Sequence, residues 1–375
     1  MHVLITGGAG FIGSHTVDAL LAGGHRVRIL DSLEPPVHRG VPGYLPPEAE
    51  FIRGDVRHRD DLGRALDGVD AVIHLAAYQD YLTDFSRFFH VNSVGTALLY
   101  ELIVARRLPV QKVVIASSQA VYGEGPYDCS EHGRVWPAGR ALEQLERGAW
   151  DIPCPRCGRT LTPRPADETA VHPGNAYAIS KHTQETIGFT LGRRYRIPTV
   201  ALRYSIVQGP RQSFSNAYSG ACRIFSLRMH FGQPPLVYED GTQLRDYVNI
   251  NDVVRANLLV LEHPETDGEV YNVGGGVAVS VADFARIVIE TFGASVAPDI
   301  PGKYRFGDTR HIVSDIAKLR RLGWRPEYSV RDSVRAYVAW LREQQDLKDF
   351  SLEADRTMQR LEVVRQAQRP AQKIP

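Results

Sequence analysis

Cysteine is scarce in this chain. Four in 375 residues are too few for a disulfide framework, which excludes the small stapled scaffolds of oxidising compartments. An excess of charge of one sign is missing as well. Lys and Arg number 44 against 43 Asp and Glu, a formal net charge of +1, so nothing marks the surface for nucleic acid or an anionic membrane. The strand-like and helical apolar runs all fall short of the roughly 20 residues that a membrane span needs. The first strand-like run starts at residue 3, which predicts no signal peptide and a cytoplasmic location. The length suggests two domains, or one large domain with an appended lobe.

What is present is a regular alternation of strand and helix signals. The segments LITG, VRIL, FIRGDV, AVIHLAA, KVVIASS and TVALRYS are strand-like, and helical patterns lie between most of them. That rhythm predicts an α/β fold: a Rossmann-type, doubly wound parallel sheet whose ligands bind beyond the carboxyl ends of the strands. From about residue 210 short strands (PLVYED, RDYVNI, GEVYNVGG) mix with helices such as VADFARIVIETFG and SVRAYVAWLREQQ. The predicted organisation is a dinucleotide domain over 1–209 with an insertion at 125–170. A smaller α/β substrate lobe follows over 210–346, part of 235–275 returning to the first domain, and a polar, basic peripheral helix and frayed tail occupy 347–375.

The first strand runs into TGGAGFIGSH. Gly7 suits a tight bend, Gly10 a close backbone approach to a pyrophosphate, and Gly13 close packing of helix on strand. The free N–H groups at the helix start suit phosphate. A second strand ends in Asp31, about 20 residues on, where a carboxylate accepts both ribose hydroxyls of NAD and repels the extra phosphate of NADP.

Tyr177 and Lys181 stand four apart in NAYAISKHTQE and therefore share a helix face. An ammonium beside a phenol stabilises phenolate and lowers its pKa toward neutrality, which makes a usable general base. Ser118, closing the strand KVVIASS, can hydrogen-bond a substrate hydroxyl near that base. Taken together these parts predict an enzyme; a non-catalytic NAD-binding scaffold is the distant alternative.

With these motifs in place the chain resembles the extended short-chain dehydrogenase/reductases, within them the nucleotide-sugar epimerase/dehydratase group. The resemblance implies NAD held by Gly7, Gly10, Phe11, Ile12, Gly13, Asp31, Ser32, Asp55, Val56, Leu75, Ala76, Ala77, Asn92 and Tyr204, with Tyr177 and Lys181. It also implies Ser118, rather than Ser117, as the catalytic hydroxyl, and a nucleotide-sugar substrate held by Ser118, Gln119, Asn216, Val237, Arg245, Arg305 and Asp308. Arginine suits phosphate because its planar fork donates two bonds at once. A homodimer through a bundle that includes the Tyr177 helix is implied as well. Where dehydratases of this group carry an acid, this chain has Gln119-Ala120. That favours 4-epimerisation over elimination, with ketoreduction or dehydration in the same fold as alternatives. Ser205 and Ile206 replace the group's usual Phe-Asn pair.

About 50 residues rich in Pro, Arg and Gly separate YGEG from NAYAISK, far more than a typical loop. Within them Cys129 and His132 are spaced CxxH and Cys154 and Cys157 CxxC, a donor set that tetrahedral, structural zinc prefers. Relatives resembling dTDP-L-rhamnose 4-epimerase carry a cysteine-bearing insert at this place. That resemblance points to a dTDP-hexose such as dTDP-L-rhamnose, with UDP-, GDP- and CDP-sugars as alternatives. The fourth cysteine, Cys222, lies in an apolar helical run and reads as a core thiol.

Overall fold

The computed structural model describes residues 1–35, 37–80, 83–214, 220–345 and 347–368. Its main sheet has seven strands, β1 (His2–Thr6), β2 (Arg26–Asp31), β3 (Glu50–Arg53), β4 (Ala71–His74), β5 (Lys112–Ser118), β6 (Thr199–Tyr204) and β7 (Val270–Val273). Every neighbouring pair is parallel and the order is 3-2-1-4-5-6-7. Helices cover both faces, so the strands are buried on both sides, and β1, β5 and β6 are accordingly near-continuous apolar runs. The two main cores lie on opposite sides of the sheet. One is built on Val3, Ile5 and Ile29, the other on Leu4, Val72 and Ile115, as alternation along a strand requires. The strand order reverses between β1 and β4, which opens a crevice at their carboxyl ends.

A third core, around Cys222, Phe284, Tyr337 and Val338, marks the smaller lobe. Cys222 is fully buried there. The strand-like PLVYED makes only a single bridge, Leu236 to Asp299. RDYVNI forms the strand Leu244–Asn249 in a separate three-stranded sheet.

One expectation from the sequence needs correction. The helical stretch Phe85–Ala105 is, by length and apolarity alone, able to cross a membrane. Here it is half buried and packs against the long helix Ala176–Tyr195, as a core helix does. The described part of the C-terminal segment, 347–368, packs on the chain that precedes it. After the helix Ser351–Arg360, Val364–Gln366 pairs antiparallel with Lys303–Arg305. Ala354, Met358, Val364 and Ala367 are buried.

The insertion folds on itself. Strands Tyr127–Cys129, Gly133–Val135 and Thr162–Pro163 form a small antiparallel sheet over a core of Tyr127, Val135, Ile152 and Leu161. Each short-spaced pair sits in a tight turn closed by a glycine with positive φ, Gly133 at 65° and Gly158 at 76°.

Candidate active site

The carboxyl ends of the strands open into one cleft of about 950 Å³ that runs on into the smaller lobe. Two close approaches shape its floor. Gly7 has φ 70°, and a Cβ there would lie 2.8 Å from the Ala76 backbone nitrogen. A Cβ on Gly13 would lie 2.2 Å from the Gly7 carbonyl oxygen, so the helix Phe11–Ala22 rests directly on the turn. Gly10 caps that helix with no side-chain hydrogen bond, which leaves its first N–H groups turned to the cleft without a protein acceptor from the cap.

Asp31 closes β2 at the same crevice. Its two carboxylate oxygens accept from the Ala9 and Leu33 backbone N–H groups at 3.0 and 2.9 Å, which fixes their direction while leaving acceptor capacity for ribose hydroxyls. Further out, Asp55 is gripped by the Arg57 guanidinium, and Arg57 also reaches Glu34 at 2.6 Å. The Asp55 carboxyl is held below the usual carboxylate range by its bonds to Arg57, which outweigh its burial. Arg57 and Glu34 line the cleft and carried no motif that would have flagged them.

The Tyr177 helix starts at Asn175, whose side chain accepts from the Ala178 N–H at 2.9 Å. The helix places half-buried Tyr177 and fully buried Lys181 on the cleft, and Ser118 lines the same cleft from the end of β5. The Phe88 ring packs edge-on to Tyr177 with centroids 6.4 Å apart. Lys181 Nζ donates to Gln184 Oε1 at 2.7 Å, and burial, only partly offset by the Glu185 charge, pushes its pKa down to about 7. Ser117 is committed elsewhere: its hydroxyl donates to Glu185, which also takes two bonds from Arg203 at 2.9 and 2.8 Å. Ser118 keeps its hydroxyl at the cleft, accepting from the Ala120 N–H at 3.1 Å.

His74, ahead of the Leu75-Ala76-Ala77 wall, is a neutral structural clip. Its ring nitrogens meet Thr6 Oγ1 at 2.7 Å and Thr96 Oγ1 at 3.1 Å. Burial, then the Lys181 charge, hold its pKa down to about 3.

Most of the residues that the sequence singled out converge on this one cleft. Gly7, Gly10, Phe11, Ile12, Gly13, Asp31, Ser32, Asp55, Val56, Leu75, Ala76 and Ala77 line one part of it. Ser118, Gln119, Tyr177, Lys181, Tyr204, Arg245, Arg305 and Asp308 line the rest. Three of the residues singled out are tied into the fold. Asn92 is fully buried and does not reach the cleft; it exchanges hydrogen bonds with the Tyr78 backbone and donates to Ser180 at 2.9 Å, so it anchors the Tyr177 helix. Val237 belongs to the core of the smaller lobe, while its neighbours Leu236 and Tyr238 face the cleft. Tyr204 lends only its ring, because its hydroxyl donates to Asn257 at 2.6 Å. Asn216 lies outside the described residues.

The charges around Arg245 and Arg310 form a buried network. Arg245 donates to the carbonyls of Leu244, Arg310 and Thr309. Arg310, 1% exposed, reaches Glu239, Asp240 and Asp151. Arg140, from the insertion, reaches Glu239 at 2.8 Å and the Asp308 carbonyl at 2.8 Å. Ser205, at the departure from the Phe-Asn pair, is used inside the fold, donating to buried Asp246 at 2.9 Å. The Asp246 carboxyl is pushed up to about 6, burial outweighing the bonds from Ser205, Gly275 and Ser314.

The family model that matches the chain is described as the NAD dependent epimerase/dehydratase family, over residues 3–135 and 157–274. The chain belongs to this family. It is 34% identical over 355 residues to a dTDP-L-rhamnose 4-epimerase of Burkholderia thailandensis, covering 92% of this chain and 96% of that one. The UDP-glucose 4-epimerase of Thermotoga maritima, solved with UDP-glucose, superposes with a TM-score of 0.75 at 28% identity over 92% of this chain and 99% of that one. A UDP-glucuronic acid 4-epimerase of Bacillus cereus, solved with UDP-glucuronic acid and NAD, gives a TM-score of 0.74 at 26% identity, with the same coverage of both chains. The unmatched stretch of the family model, 136–156, falls inside the insertion and contains Cys154.

At that insertion the ligand atoms of Cys129, His132, Cys154 and Cys157 all lie within 4.8 Å of one another. Cys129 Sγ is 3.6 Å from Cys157 Sγ and 3.5 Å from His132 Nδ1, and Cys154 Sγ is 3.6 Å from the same nitrogen. Edges of about 3.5 to 3.8 Å are what a tetrahedral zinc shell of sulfur and nitrogen requires.

Proposed function

We propose that this chain is an NAD-dependent nucleotide-sugar 4-epimerase, with a dTDP-hexose such as dTDP-L-rhamnose as the favoured substrate. The observation that carries it is the meeting of Ser118, Tyr177 and Lys181 with the glycine turn and Asp31 on one cleft, where Gln119 and Ala120 stand in place of an acid. The uncapped helix start, the Gly7 approach and the fixed Asp31 carboxylate fit a dinucleotide. When bound, NAD supplies the acceptor and donor of a hydride.

The chain's own residues then handle the sugar. Tyr177 takes the proton of the C4 hydroxyl as hydride leaves C4. Protonated Lys181 stabilises the phenolate, and Ser118 holds the hydroxyl oxygen by a hydrogen bond. The 4-keto sugar turns over in the pocket, hydride returns to its opposite face, and Tyr177 gives the proton back. With no acid at 119 or 120, no group there drives loss of water from the neighbouring carbon. Arg245 and Arg305, both at the cleft, suit the substrate diphosphate.

The insertion is a structural zinc site in this proposal: four donors in a closed shell leave no open position, and the small polar segment gains folding free energy from the metal. The dTDP assignment rests on the likeness to the rhamnose epimerase and on the insert. Cytoplasmic residence follows from the intracellular supply of nucleotide sugars. A homodimer is proposed through the helices Phe85–Ala105 and Ala176–Tyr195, where Val94 and Ile179 are exposed.

Proton NMR on a panel of dTDP-, UDP-, GDP- and CDP-sugars tests the proposal. Interconversion of one pair of C4 epimers, without added cofactor, is expected. A 4-keto-6-deoxy product, or a one-to-one build-up of free NADH, would replace it with a dehydratase or a dehydrogenase.

A further inference from the structure

The C-terminal helix and strand reach the cleft. Ser351, Asp355, Met358, Leu361, Glu362 and Val363 all line it. The strand Val364–Gln366 is hydrogen-bonded to Lys303–Arg305, with Val364 opposite Arg305. Arg305 donates to Met358 Sδ at 3.4 Å, and its guanidinium lies over the Tyr238 ring, 5.0 Å from the centroid. Asp355 accepts from Lys303 at 3.0 Å. The far side of the same strand is fastened to the insertion: Tyr304 packs on Trp150, and the Gln368 N–H donates to the Glu146 carbonyl at 2.7 Å.

The direction of the cleft can be read from these contacts. Thr309 donates to the Gly123 carbonyl at 3.2 Å, just beyond the turn that follows Ser118. Thr309 thus sits by the turn after Ser118, and Arg305, four residues earlier in the chain, meets the C-terminal segment at Met358. Cations that suit a diphosphate, Arg223, Arg228, Arg245 and Arg305, line the same cleft. Beside Ser351, Asp355, Glu362 and Arg365 the C-terminal segment adds an apolar strip to the cleft: Met358, Leu361 and Val363. A flat heterocycle fits such a surface, and a thioether adapts to its edge.

We propose that residues 351–366 form the nucleoside-end wall of the substrate cleft and set which base of a nucleoside diphosphate is accepted. This rests on the nucleotide-sugar reading of the site for its ligand class. Loss of the wall weakens binding and flattens base preference without touching the chemistry at Ser118 and Tyr177 or the cofactor end.

Calorimetric titration of the full-length protein with UDP, dTDP, CDP, GDP and inorganic pyrophosphate tests it, using wild type, Met358→Ala and Leu361→Ser. Leu361 is 39% exposed, so its replacement leaves the lobe folded even if the Met358 variant proves unstable. Expected is a loss of about tenfold for the best-bound nucleoside diphosphate and a narrower spread among bases, with pyrophosphate affinity and NAD content unchanged. Unchanged nucleotide affinities and ranking in both variants would overturn the wall, as would parallel loss of pyrophosphate. A wild-type protein that keeps NAD yet binds none of the four diphosphates would instead sink the nucleotide-sugar reading itself.

Discussion

Lys181 Nζ donates to Gln184 Oε1 at 2.7 Å from a position with no solvent exposure to speak of, beneath the candidate base Tyr177. Burial brings the Lys181 pKa down to about 7 from an ordinary value of 10.5. A lowered lysine pKa means that the unfolded chain binds more protons than the folded one between pH 7 and about 10.4, so stability rises with pH across that window. Below pH 7 the cost is present in full. Lys181→Met should therefore raise the melting temperature of cofactor-free protein by a few degrees at pH 6.5, with the gain shrinking toward pH 10. Thermal scans of both proteins across that range check it; a gain independent of pH would contradict the assignment.

Tyr177→Phe removes the proton acceptor and leaves the packing against Phe88. Turnover should fall by about 10²- to 10⁴-fold, with NAD content unchanged. Steady-state rates on an accepted nucleotide sugar, with cofactor quantified after denaturation, measure both. Retained turnover would remove Tyr177 from the chemistry.

Gly13→Ala tests the cofactor cradle. Its new methyl would meet the Gly7 carbonyl, and the helix must lift from the turn that is to carry the pyrophosphate. Cofactor affinity should fall by at least about tenfold, seen as protein purified without NAD and weak on titration with it.

For the insertion, about one zinc per chain is expected by elemental analysis, falling to near zero in Cys154→Ser or after chelation. Arg140 joins the insertion to Glu239 and to the Asp308 carbonyl. Metal loss should therefore raise the substrate KM more than it lowers kcat, while bound NAD persists. Substoichiometric zinc in freshly purified protein would contradict this.

The pair beneath β5 and β6 carries a stability prediction. Arg203 and Glu185 are about 5% exposed and doubly bonded. Arg203→Met leaves a buried carboxylate without its partner and should cost about 3 to 5 kcal/mol, measurable by denaturant unfolding.

Much of this was legible in the chain because the signals were local. A glycine turn after an apolar strand, an acid at the next strand end and a four-residue helical spacing each follow from backbone geometry. Their convergence then follows from where parallel strands end. The Cys/His cluster was legible for the same reason, as two short-spaced pairs each closed by a glycine. For Asn92 the sequence does not reveal whether a polar helix residue faces ligand or a neighbouring helix; in the structure it donates to Ser180. For Val237 the side it faces was not legible, because neighbours in an extended segment point to opposite sides; Leu236 and Tyr238 line the cleft and Val237 the core. The C-terminal segment was hidden by its polar, basic composition. Its apolar face is only Ala354 and Met358, and its strand partner lies some sixty residues back. The ion network of Arg140, Glu239 and Arg310 joins three distant segments and has no sequence motif.

The most direct test of the central claim is the reaction run in D₂O, with the C4 position of both epimers followed by proton NMR. Return of the same hydride to the opposite face predicts an equilibrium mixture of C4 epimers with protium retained at C4 and no deuterium in the ring. Deuterium at C4, or turnover that yields no C4 epimer, would contradict it.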